Sequence, residues 1–151
     1  MKNDQLMTYL LYLKLSYFRE YHQSLAKEAV EKNWSQLDFL SRLAEGETLR
    51  RKDHATKRRI QAARFPVIKT LEQFNWTWPK KINRPQVQNL FRLSFPKEKA
   101  NVIFMGGVGL GKTHLATALA YEACLAGYTA LHATAIDIVN TLAAAQSTNR
   151  L

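Results

Sequence analysis

Residues 106–113 read GGVGLGKT, with Gly106, four residues, then Gly111, Lys112 and Thr113. That spacing matches a phosphate-binding loop in each fixed position. Glycines let backbone N–H groups turn inward on phosphate oxygens, and a following helix N-terminus adds positive potential. Lys112 is placed to reach the β- and γ-oxygens of a nucleoside triphosphate, and the Thr113 hydroxyl to hold Mg²⁺. The candidate ATP-binding residues are therefore Gly106, Gly107, Val108, Gly109, Leu110, Gly111, Lys112 and Thr113, with ATP and Mg²⁺ as the expected cofactors.

Such a loop works when a strand delivers the chain to it and a helix carries the chain away. NVIFM, 101–105, is a short apolar run of strand formers. After the loop, HLATALAYEACLAG sets Leu115, Leu119 and Ala123 at helical spacing, with Gly127 as the stop. TALHATA, 129–135, predicts a second strand, and Ile136 to about Gln146 a second helix with Ile138, Val139 and Leu142 as its inner face. The expected fold class is α/β. The lone Cys124 falls on the apolar helix and is expected to be a buried structural thiol, which suits a reducing cytoplasm.

The chain carries a net charge of +10, yet after residue 100 its only charged side chains are Lys112, Glu122, Asp137 and Arg150. The excess therefore belongs to the first hundred residues, and it favours a polyanionic partner there. Three segments follow: 1–64 as a basic helical domain that binds DNA, 65–100 as a connector, and 101–151 as the phosphate-loop domain.

Within the first segment, Leu6, Leu10, Leu13, Tyr17, Tyr21 and Leu25 step by three or four, predicting one helix from about Asp4 to Lys32. Ser35 is the expected N-cap of a second helix, with Asp38 as its capping partner and Leu37, Leu40, Leu43 and Ala44 facing inward. Gly46 reads as a soft spot in it. From Glu47, ETLRRKDHATKRRIQAARF carries seven basic residues in nineteen. At 100° per residue Arg50 lies over Lys57, Arg51 over Arg58 and Lys52 over Arg59. These six are the candidate DNA contacts, suited to phosphate neutralisation without sequence specificity. Leu49, Thr56, Ile60 and Ala63 form the narrow face left for docking.

Pro66, Pro79 and Pro85 break the helical period in the connector, which Phe65, Phe74, Trp76 and Trp78 are expected to pack, and Pro85 can open a short helix through PQVQNLFRL. The apolar LMTYLLYL is preceded by Asp4, ended by Lys14 and followed by no small-residue cleavage site. Nothing reaches the roughly 18 apolar residues that span a membrane. A soluble cytoplasmic protein with no membrane partner is expected.

The stretches AARFPVIKTLEQFNW and NVIFMGGVGLGKTHLATALAYEACLAGYTALHATAIDIVNTLAAAQ, with the basic helices before them, resemble the IstB family. These are insertion-sequence helper ATPases of the AAA+ superfamily, allied to the helicase loader DnaC. The resemblance runs from Leu13 to the end. It implies ATP binding, double-stranded DNA binding, ATP-dependent self-association and direction of a cognate transposase to target DNA, with Phe74 near the adenine. Gly107 and Val108 depart from the family, which more often has proline early in the loop. The family continues into an acidic strand, a polar sensor and an arginine finger that this chain lacks. It is thus expected to be a C-terminally truncated AAA+ domain with no catalytic residues of its own and no hydrolysis alone. A DnaC-like helicase loader and a non-catalytic DNA-binding fragment are the alternatives.

Overall fold

The computed structural model describes residues 2–78 and 82–148, and every regular element in them is a helix: α1 (Lys2–Tyr12), α2 (Ser16–Glu31), α3 (Gln36–Ala62), α4 (Arg84–Leu90), α5 (Lys112–Leu125) and α6 (Ala135–Ser147). The expected α/β class is therefore corrected to all-helical among the described residues. Segments 101–105 and 129–134 are irregular and make no ladder, although the second does donate from the His132 N–H to the Ala63 carbonyl at 2.8 Å. The physical reason is that β propensity expresses fit to a half-buried, paired surface, and neither segment has a neighbouring edge to pair with. Ile103 and Met105 accordingly stay 77% and 87% exposed.

The chain divides into two compact units, Met1–Ala55 and Thr56–Leu151, with the division inside α3. In the first unit, the single helix expected from Asp4 to Lys32 is instead two. The break lies at 13–15, where Lys14 takes φ 54°, the Leu15 N–H returns to the Leu10 carbonyl, and Arg51 Nη2 donates to the Lys14 carbonyl at 3.0 Å. Neither glycine nor proline marks the spot, so local patterning passes over it.

The N-terminus of α2 is capped from α3. Leu15 has no side-chain oxygen to offer as N-cap, and the buried carboxylate of Glu47 accepts the Tyr17 N–H at 2.7 Å while Arg51 Nε donates to it at 2.8 Å. An anion beside free N–H groups is favourable there. Ser35 and Asp38 exchange reciprocal bonds at the start of α3, as the sequence implies. Of the residues expected to face inward from α3, Leu43 is buried, whereas Leu37, Leu40 and Ala44 are exposed.

Gly46 is a close-packing position in a continuous helix rather than a soft spot. A Cβ there would run into the Tyr17 ring, which stacks on Tyr21 at 4.5 Å beneath the Arg50 guanidinium. Glycine to alanine in a helix interior ordinarily gains about 1 kcal/mol. Overpacking costs about 1–3 kcal/mol, so Gly46→Ala is expected to lower the denaturant midpoint of unfolding. A raised midpoint would refute this packing.

In the second unit, Phe74, Val87 and Leu115 form one core cluster and Leu93, Leu119 and Ala123 another, and Phe91 and Phe104 pack against both. The stretch expected to be a connector is thus the floor on which α5 lies. Trp76 is half-buried and Trp78 exposed, while Pro79 lies outside the described residues. Asn83 caps α4 by accepting the Gln86 N–H at 3.1 Å, with Pro85 in the first turn. Gly127, at φ 102°, ends α5 as expected, and the Tyr128 N–H returns to the Ala123 carbonyl. Burial pushes the Cys124 thiol up, in keeping with a structural role.

Thr134 and Asp137 form a capping box at α6. The inner face expected from Ile138, Val139 and Leu142 is corrected: all three are exposed, because the described residues form no sheet to receive them. No helix among the described residues is long and apolar enough to cross a membrane.

Candidate functional site

Gly111 is the N-cap of α5 in the left-handed conformation, φ 79° and ψ 14°, and a Cβ there would come within 2.6 Å of the Phe74 ring. Only glycine meets both demands. Lys112 and Thr113 are then the first two helical residues, and the first backbone bond of α5 runs from the Leu115 N–H to the Gly111 carbonyl at 2.9 Å. Residues 108–109 form a turn, and among the described residues the N–H groups from 111 to 114 have no backbone acceptor. They form a run of unsatisfied donors at a helix start, which is an anion-attracting arrangement.

Lys112 folds back over the loop, where its Nζ donates to the Gly107 carbonyl at 2.5 Å. Val108 is fully exposed at the loop tip, and Thr113 is exposed beside it on α5. A cleft of about 340 Å³ opens over residues 109–114. Five of the eight expected loop residues, Gly109 to Thr113, thus line one concavity, while Gly106, Gly107 and Val108 lie outside its lining.

Below the loop, His114 Nε2 lies 2.9 Å from the Thr70 carbonyl and meets Phe74 edge-on at 5.4 Å between ring centroids. Trp76 adds its edge to Phe74 at 5.0 Å, and Arg84 covers Trp76 at 4.8 Å. Phe74 is buried beneath Gly111 and against Leu115. Sequence reasoning missed His114 and Thr70; the signal was the histidine placed directly after GKT.

The six basic residues of α3 are in different circumstances. In the first unit, Arg50 pairs with Glu20 at 2.7 Å and Arg51 with Glu47 at 2.8 Å, while Lys52 is exposed. In the second, Arg59 Nε donates to the Cys124 carbonyl at 3.0 Å and its Nη2 to Thr56 Oγ1 at 2.9 Å, capping the C-terminal end of α5. Lys57 and Arg58 are exposed. Of the docking face expected alongside them, Ala63 is buried, Thr56 and Ile60 are half-buried and Leu49 is exposed.

The family of IstB-like ATP binding proteins matches residues 8–151. The chain belongs to this family. It is 36% identical over 139 residues to a Pseudomonas aeruginosa protein named as an ATP-binding protein of insertion sequence IS21, covering 92% of this chain and 52% of that one. A Geobacillus stearothermophilus protein named for insertion sequence IS5376 is 32% identical over 98% of this chain and 59% of its own length. A Bacillus thuringiensis protein named for insertion sequence IS232 is 28% identical, with 61% of its own length covered. The chain thus spans a little over half the length of these relatives.

As a member of the IstB-like ATP-binding family, the chain carries a loop whose features fit a nucleotide's phosphates. Among the described residues the donor run at the start of α5 has no acceptor, and the Lys112 ammonium holds only a loop carbonyl that an anion can replace. For a divalent cation the described residues offer no group of three or more acidic, histidine or cysteine side chains. Thr113 is exposed at the start of α5, so its hydroxyl is open to a cation carried by phosphate oxygens and water.

Proposed function

We propose that the chain binds ATP with Mg²⁺ at residues 106–113, binds double-stranded DNA through the basic residues of α3, and acts as an insertion-sequence helper that directs its cognate transposase to target DNA. The observation that carries the reading is the unsatisfied donor run leading into α5 with Lys112 folded across it. Lys112 would exchange the Gly107 carbonyl for phosphate oxygens, the N–H groups would orient them, and Thr113 would hold the cation. Bound Mg²⁺ would neutralise phosphate charge. The names of the relatives favour insertion sequences over a replicative helicase loader.

For DNA, the exposed Lys52, Lys57 and Arg58 supply charge without the rigid geometry that base reading requires. The test is DNA binding over a salt series, with and without ATP and Mg²⁺, beside Lys112→Ala. Neutralising about three phosphates predicts a slope of about −3 in log affinity against log salt, with binding strengthened by ATP only when Lys112 is present. Salt-insensitive binding would sink the DNA interface. Salt-dependent binding indifferent to ATP would leave a DNA-binding fragment whose loop does not couple to it.

A further inference from the structure

The phosphate loop is open above and braced below. Val108 is fully exposed and a Cβ at Gly109 would meet nothing within 4 Å, so the tip of the loop is unpacked, and within the loop the Leu110 side chain lies over Gly106 and Gly107. The brace comes from residues 70–74. A carbonyl can only accept, so the 2.9 Å contact to Thr70 makes His114 Nε2 the protonated nitrogen and the donor. Phe74, 6% exposed, sits on the bare face of Gly111 and against the His114 ring, tying the N-cap and the third residue of α5 to one segment.

We infer that His114 is a positioning residue for the phosphate loop: its bond to the Thr70 carbonyl, with Phe74 seated under Gly111, fixes the first turn of α5 so that the N–H groups around Lys112 and Thr113 converge on one anion. This rests on the proposed reading that residues 106–113 hold a nucleotide's phosphates. Such convergence matters because a donor displaced from an oxyanion loses most of a charge-assisted bond, whereas a donor already in place costs no reordering on binding. His114 does not touch the phosphates; it acts through the helix that does.

The brace makes a claim about which part of the ligand is affected. Loss of His114 should weaken binding of ATP and of free tripolyphosphate in parallel, since both engage the same donors. His114→Leu keeps an apolar body against Phe74 but has no N–H, and about a tenfold loss of affinity is expected for both ligands. His114→Gln keeps a donor that can reach the Thr70 carbonyl and is expected to bind within about threefold of the unmodified chain.

Calorimetric titration of the full 151-residue chain, Lys112→Ala, His114→Leu and His114→Gln with ATP and with tripolyphosphate, beside circular-dichroism melting of each, decides the matter. Parallel loss in the leucine variant with recovery in the glutamine variant, at unchanged helix content, supports the brace. Absent binding by the unmodified chain, or equal binding by Lys112→Ala, overturns the nucleotide reading and the brace with it. Lys112-dependent binding left intact in His114→Leu overturns the brace alone. So does unfolding of His114→Leu, or a glutamine variant as weak as the leucine one, because the histidine would then be holding up the fold rather than aiming the loop.

Discussion

Lys112→Ala is expected to lower the affinity of the chain for ATP by about a hundredfold, the loss that follows from removing two charge-assisted bonds to phosphate. Among the described residues the side chain bonds to the Gly107 carbonyl alone, an exposed loop acceptor that water can satisfy once the ammonium is gone. The substitution should therefore leave the unfolding midpoint within experimental error while the nucleotide affinity collapses. Titration with a fluorescent ATP analogue, read beside a melting curve, checks both halves. Binding within threefold of the unmodified chain would mean that the loop is not the nucleotide site.

Glu47→Ala is the largest expected stability change, a loss of about 2–3 kcal/mol. The carboxylate is 6% exposed and serves two partners at once, the Tyr17 N–H at the start of α2 and the Arg51 guanidinium. Removing it leaves an unsatisfied donor in the first turn of α2 and withdraws an anion from that helix terminus. The Arg51 side chain remains 58% exposed and rehydrates, so the lost ion pair adds little.

The same group sets an acid limit. Burial pushes the Glu47 carboxyl up, but the bonds from Arg51 and the Tyr17 N–H outweigh it and hold the group below its ordinary value of 4.5. A carboxylate depressed in the folded state binds its proton more readily when unfolded. Its stabilisation is complete above that ordinary value and is lost as pH falls through the lower, folded one. Denaturant midpoints of the unmodified chain and Glu47→Gln should therefore differ at neutral pH and converge in acid. A constant difference across the acid range would remove Glu47 from the account.

The candidate phosphate loop was legible in residue spacing, because the backbone freedom of Gly111 and the reach of Lys112 depend only on neighbours in the chain. The ends of α5 and the start of α3 were equally local matters, settled by Gly127 and by Ser35 with Asp38. What escaped was long-range. His114 finds Thr70 across 44 residues, Arg59 finds the Cys124 carbonyl across 65, and Arg51 finds Lys14 across 37. Side-chain bonds of that kind leave no period in a sequence.

The sequence by itself determined the family, the spacing of the candidate loop, the basic character of the first hundred residues and the existence of most helices. The family was legible as a resemblance of whole stretches, and the others follow from composition or from contacts within one or two helical turns. The tertiary structure alone decided the rest. It split the first helix at Lys14, turned Gly46 from a weak point into a contact surface for Tyr17, and gave Arg59 to a helix end. It also left 101–105 and 129–134 without ladders. A strand needs a neighbouring edge as well as its own residues, and a local apolar pattern cannot report whether that edge is there.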